Sequence, residues 1–111
     1  MDTREEILNR DFSEEFVVKM KNSIEMSHHK YDWASKTFPE LAQAYKCIRE
    51  RLDLYEKTHN LEYLVDVGNF AMLEYLYPSF SDAKYTPMDS GASPGLAGGI
   101  SYKELMEGDI I

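Results

Sequence analysis

Apolar residues recur at helical spacing through the first 77 residues of the chain and lose that order afterwards. Ser13 can cap a helix whose first turn holds Glu14 and Glu15, where carboxylates suit the positive end of the dipole. Phe16, Met20 and Ile24 follow at four-residue steps, with Val17 beside them, and form one apolar stripe. A weaker pattern predicts a short helix before it, from about Thr3 to Arg10. The next helix is predicted to open at Thr37, which has Glu40 at capping-box spacing and Pro39 in the first turn. Its stripe, Leu41, Tyr45, Ile48, Leu52 and Tyr55, follows the alternating three- and four-residue steps of an a/d seam. A short turn, Thr58-His59-Asn60, makes the following helix an antiparallel neighbour, running from Leu61 to Tyr77 and stopped by Pro78. The pattern therefore predicts an all-α fold, an antiparallel helical bundle of three to four helices over residues 1–77.

Residues 78–111 read differently. Five of the six glycines fall after residue 90, and Ser79 to Gly99 is rich in Ser, Gly, Pro and Asp. This predicts a long C-terminal loop or tail, with one short helix near the end where Ser101 and Glu104 repeat a capping signal. The stretch GASPGLAGG lacks the Gly-Lys-Ser/Thr ending of a phosphate-binding loop.

The Leu61–Tyr77 helix is apolar over most of its circumference and is expected to be the most enclosed element. Leu64, Gly68, Ala71 and Tyr75 fall on one face, and Glu62, Asp66, Asn69 and Leu73 on the other. Gly68 costs about 1 kcal/mol of helix stability against Ala unless close helix packing requires it. Glu62 and Asp66 lie one turn apart on one side, with Asn69 a turn further. A carboxylate in such a setting is paired, protonated or metal-bound if it is buried at all. Asp66 is therefore either a metal ligand or a buried polar lock between helices.

Charge narrows the function classes. Twelve basic against 20 acidic side chains give a net charge of −8, which excludes a nonspecific nucleic-acid binder or an anchor to an anionic membrane. No apolar run approaches the ~20 residues of a bilayer-spanning helix. The single cysteine, Cys47, has no internal disulfide partner, and the acidic start after Met1 is unlike a signal peptide. A cytoplasmic protein is expected.

Three segments, HKYDW (His29–Trp33), RERLD (Arg49–Asp53) and LVDVGNFAML (Leu64–Leu73), resemble the helical region of MazG-like proteins. These belong to the all-α nucleoside-triphosphate pyrophosphohydrolase superfamily, and the likeness covers about half the chain, from Met20 to Tyr77. In that family acidic motifs on two consecutive helices hold Mg²⁺, which binds the triphosphate and helps water attack it. The resemblance implies Glu50, Asp53, Glu62 and Asp66 as Mg²⁺ ligands, with Lys30, Trp33 and Asn69 as contacts to a nucleoside triphosphate or other small phosphorylated ligand. Two positions depart from the family pattern: Arg49 replaces the first glutamate, and Glu62 is displaced by one, with Tyr63 in its place. The implied function is thus a Mg²⁺-dependent pyrophosphohydrolase or a degenerate nucleotide-binding relative. Glu50 lies nearly opposite the Leu41–Tyr55 stripe, so it can face Asp66 only if that helix is covered on both sides, as in a homodimer.

A second class of function comes from the aromatic residues. Eight tyrosines, five of them from Tyr63 onward, suit an acidic interaction protein that binds a basic protein surface. Bland roles are also open for each site residue. Glu50 and Asp53 suit a solvated helix face, Trp33 an anchor for a surface loop at His28–His29, and Cys47 a small core position.

Overall fold

The computed structural model describes residues 2–88, which form four α-helices: α1 (Arg4–Asp11), α2 (Glu14–Tyr31), α3 (Ala44–Thr58) and α4 (Glu62–Leu76). A single 3₁₀ turn, Ala34–Lys36, lies between α2 and α3, and the described residues contain no strand. No helix among them is long and apolar enough to cross a membrane.

Local caps set the first two helices. Thr3 Oγ1 accepts from Glu6 N–H and Ser13 Oγ accepts from Phe16 N–H, each satisfying an orphan donor of a first turn. The Phe16, Val17, Met20 and Ile24 stripe is half-buried, as its spacing predicts. Helix α2 continues through His28 and His29 to Tyr31, so the surface loop expected at those histidines is instead the helix's last turn. It ends at Asp32, whose φ of 72° turns the chain and whose N–H donates to the His28 carbonyl.

The start of α3 corrects the sequence reading. Thr37 does not cap a helix; its carbonyl accepts from both Leu41 and Ala42 N–H in a compact turn, and Leu41 is 81 % exposed. A residue before proline disfavours the α region, which holds Phe38 out of a helix. Helix α3 begins at Ala44 because its early N–H groups are satisfied there from a distance. Tyr45 N–H donates to Glu74 Oε1 on α4, a carboxylate at the positive end of the α3 dipole.

Helices α3 and α4 form an antiparallel hairpin, since Tyr45 meets Glu74 and Arg51 meets Asp66. His59 in the left-handed region (φ 58°) closes α3, and Asn60 Oδ1 accepts from Glu62 N–H to open α4. Among the described residues α4 is the most enclosed element, holding Val65, Asn69 and Leu73, three of the four buried side chains; Ala44 is the other. Burial of Val65 and Leu73 contributes ~1.5–3 kcal/mol each. Its buried line runs 65–69–73, taking Asn69 and Leu73 from one predicted face, while Ala71 and Tyr75 of the other are exposed. Gly68 is where α2 crosses α4: a Cβ there would lie 3.1 Å from a Phe16 ring carbon and 3.2 Å from Met20 Sδ.

Beyond Pro78 the chain folds back on the hairpin. The Phe80 ring lies 5.3 Å from that of Tyr45, and Ser79 donates to Glu74 through its N–H and its hydroxyl. The helix expected from Ser101, and the tail beyond Met88, lie outside the described residues.

Candidate functional site

A groove of about 1680 Å³ runs between α2, the 32–38 connection and the α3–α4 hairpin. Five of the seven residues singled out from the sequence line it: Lys30, Trp33, Glu62, Asp66 and Asn69. Asp53 is exposed and outside the lining; Glu50 is also outside it but reaches it through a neighbour.

That neighbour is Arg51, which the sequence reading passed over. Its Nε donates to Asp66 Oδ2 at 3.2 Å, its Nη1 contacts Glu50 Oε1, and its guanidinium lies 5.3 Å from the Phe70 ring centroid. One planar cation thus gathers two carboxylates from adjacent helices. Asp66 is half-buried and paired. Among the described residues, no group of three or more His, Cys, Asp or Glu side chains could hold a metal ion. Glu62 stands one turn before Asp66 on the groove wall, at the start of α4. Mg²⁺ often takes only one or two carboxylates, completing its shell with phosphate oxygens and water; here Asp66 and Glu50 are both engaged by Arg51. Arg51 would compete there as the resident cation.

Asn69 is 6 % exposed and spans the helix pair. Its Nδ2 donates to the Met20 carbonyl of α2 at 3.1 Å, which fixes the amide's orientation because a carbonyl can only accept. Its Oδ1 is buried without a partner among the described residues. The polar interruption of the apolar run therefore has two explanations: Asn69 ties α4 to α2, and Asp66 ties α4 to α3.

Trp33 is 63 % exposed, with its ring 4.3 Å from that of His28. It is therefore braced on the end of α2 at the edge of the groove. Asp32 orients this corner by accepting from Trp33 N–H at 2.7 Å and from Lys36 Nζ at 2.8 Å, bonds that hold its carboxyl below the usual range. Lys30 Nζ sits 5.0 Å over the Tyr31 ring. Cys47 also lines the groove, and burial pushes its thiol above the usual value. No protein family, characterised protein or solved structure matches this chain.

Proposed function

We propose that the groove binds a nucleoside triphosphate or similar small phosphorylated ligand together with Mg²⁺. In this reading the protein is a MazG-like pyrophosphohydrolase or a nucleotide-binding relative that has lost turnover. The observation that carries it is the convergence of Asp66 and Glu50 on Arg51 at the groove wall. The paired carboxylates would hold Mg²⁺, with Glu62 as the nearest further acid; Asp53 is the least well placed of the four. The Arg51 fork matches phosphate oxygens when it is not engaged by carboxylate. Lys30 supplies a second cation, Trp33 a face on which a base can stack, and Asn69 a further polar side chain of the lining. A cytoplasmic homodimer belongs to the same proposal.

Calorimetric titration with Mg²⁺, then with a nucleotide panel, tests it on the wild type and on Asp66→Asn. Metal-dependent nucleotide binding that disappears in Asp66→Asn is the expected result, and product analysis then separates hydrolysis from binding alone. Identical titrations of the two proteins would overturn the reading.

A second reading, an acidic interaction protein without chemistry, draws on the strong exposure of Tyr75 and Tyr85 on a chain of net charge −8. It predicts capture of a basic protein partner that weakens as salt is added, with no dependence on Mg²⁺.

A further inference from the structure

The corner after α2 is held in a backbone conformation that its sequence does not favour. Asp32 has φ 72° and ψ −164°, a region that glycine adopts and residues with a side chain avoid. Such a conformation persists only where its surroundings fix it. Four contacts do so here. Asp32 N–H donates to the His28 carbonyl at 2.8 Å, and the Asp32 carboxylate accepts from Trp33 N–H and from Lys36 Nζ. The fourth runs between side chains alone: the His28 ring lies 4.3 Å from that of Trp33, tilted 58° to it. Of the four, only this last contact is made by a group that changes charge near neutral pH.

We infer that the corner is a pH-operated latch: protonated, His28 clamps Trp33 and holds the strained turn closed; neutral, it lets the turn open. Three features favour the charged ring in the closed corner. The indole face attracts a cation. His28 stands in the last turn of α2, where the unpaired carbonyls form the negative end of the helix dipole. The Asp32 carboxyl, held below its usual range first by Lys36 and then by Trp33 N–H, is drawn lower still by a charged His28.

The other charges around the ring do not reverse this preference. Glu25, one turn earlier on α2, adds to the attraction. Lys36 is engaged by Asp32, and Lys30 sits over the Tyr31 ring. His29, its ring 5.5 Å away, opposes His28 when both are charged. On the far side of the groove Arg51 is matched by Asp66 and Glu50, and Glu62 contributes a further negative charge. A neutral His28 keeps only its stacking contact, while the strain at Asp32 is unchanged. An exposed cation on an aromatic face together with a charge at a helix C-terminus should favour the closed corner on the order of tenfold.

Closing the latch fixes the indole at the edge of the groove, so a ligand that stacks there should bind better below the imidazole range than above it. That consequence rests on the ligand reading above; the latch does not, and its test uses the protein alone.

Trp33 is the single tryptophan, so its fluorescence reports this corner directly. The measurement is the accessibility of the indole to acrylamide at about pH 5.5 and about pH 8, on either side of the ordinary imidazole value of ~6.5. Cys47 stays neutral in this window, because burial pushes its thiol above the usual value. In the wild type, His29→Gln and His59→Gln, the indole should be less accessible at the lower pH. In His28→Gln it should be equally accessible at both, with helical circular dichroism retained. Should His28→Gln lose its fold, NMR of the wild type decides: the Overhauser contact between the His28 and Trp33 rings should strengthen on acidification. Equal accessibility of the wild-type indole at the two pH values would overturn the latch, as would the same pH response in His28→Gln or an Overhauser contact that pH does not alter. Acid quenching of the emission with no change in accessibility would overturn it too, since His28 would then protonate beside Trp33 without moving it.

Discussion

Replacing Arg51 by Met keeps much of the side chain's length and apolar stem while removing the guanidinium. That group donates to Asp66 at 3.2 Å, contacts Glu50, and lies over Phe70. The Arg51 and Asp66 side chains are 27 % and 30 % exposed. Exposed pairs contribute ~0.2–1 kcal/mol, whereas breaking a buried one costs ~3–5 kcal/mol. Solvent screening places this pair nearer the first, with a coupling of ~1–1.5 kcal/mol between Arg51→Met and Asp66→Asn. Arg51→Met alone should cost ~1.5–2.5 kcal/mol, because the cation over Phe70 adds ~0.5–1 kcal/mol. Urea unfolding of the four proteins of the cycle, followed by circular dichroism at one fixed protein concentration, measures both quantities. A coupling under ~0.3 kcal/mol would refute the claim that Arg51 and Asp66 act as a pair. The same variant tests the metal reading with the opposite sign. Removing a competing cation worth ~1–1.4 kcal/mol should tighten Mg²⁺ binding by roughly 5–10-fold even as the fold weakens. Unchanged or weaker Mg²⁺ binding would mean that the carboxylates serve Arg51 alone.

Three further substitutions probe the framework. Gly68→Ala gains up to ~1 kcal/mol of helix propensity, but the new Cβ presses on Phe16 and Met20. Thermal unfolding should show a change within ~0.5 kcal/mol, and a full ~1 kcal/mol gain would show that α2 does not press on α4 there. Asn69→Leu loses one hydrogen bond to Met20 worth ~1 kcal/mol but relieves the buried unpaired Oδ1, a penalty of ~1–3 kcal/mol, so it should be neutral or mildly stabilising. Destabilisation beyond ~1.5 kcal/mol would mean that the tie to α2 outweighs the orphaned oxygen. At Glu74, burial pushes the carboxyl up, but hydrogen bonds from Ser79 N–H, its hydroxyl and Tyr45 N–H outweigh that and hold it below the usual range. A depressed carboxyl stabilises the fold above its unfolded value of ~4.3, and that stability is lost as pH falls through the folded value. Glu74→Gln should therefore cost ~1–2 kcal/mol near neutral pH and flatten the acid limb of stability against pH; an unaltered acid limb would exclude Glu74 as its source.

The helices whose ends were legible are those whose ends are decided locally. Thr3 and Ser13 accept from N–H groups three residues on, and Pro78 cannot continue α4, so a short window of sequence contains the cause of each boundary. Helix α3 is the counterexample. Thr37, Pro39 and Glu40 carry a start signal as good as that of Ser13, yet the helix opens at Ala44. The donor that needed a partner there finds it 29 positions away, on Glu74. Moving the start changes nothing in the helical period, but it removes Leu41 from the seam and leaves it exposed.

The same helix explains why the site was half legible. Ranking positions by apolarity put Leu52 on the seam and left Arg51 outside, whereas in the fold Leu52 is exposed and Arg51 faces α4. Adjacent residues point about 100° apart, so a small rotation of the face exchanges them, and apolar content alone does not fix that rotation. The charges do. A long arginine can lay its stem on Phe70 and still deliver its head to a carboxylate, so it satisfies both the apolar and the ionic demand at one position. The turn at Thr58–Asn60 supplied the missing register, because residues about equally far from a tight hairpin turn face each other. Arg51 stands seven positions before Thr58 and Asp66 six after Asn60; Tyr45 stands thirteen before and Glu74 fourteen after. A carboxylate in an apolar run requires a partner, and counting back across the turn from Asp66 leads to Arg51 or its immediate neighbour. The acidic residues of α4 are therefore read correctly only together with the residues opposite them on α3, and two of the candidate metal ligands, Glu50 and Asp66, are the carboxylates that Arg51 engages.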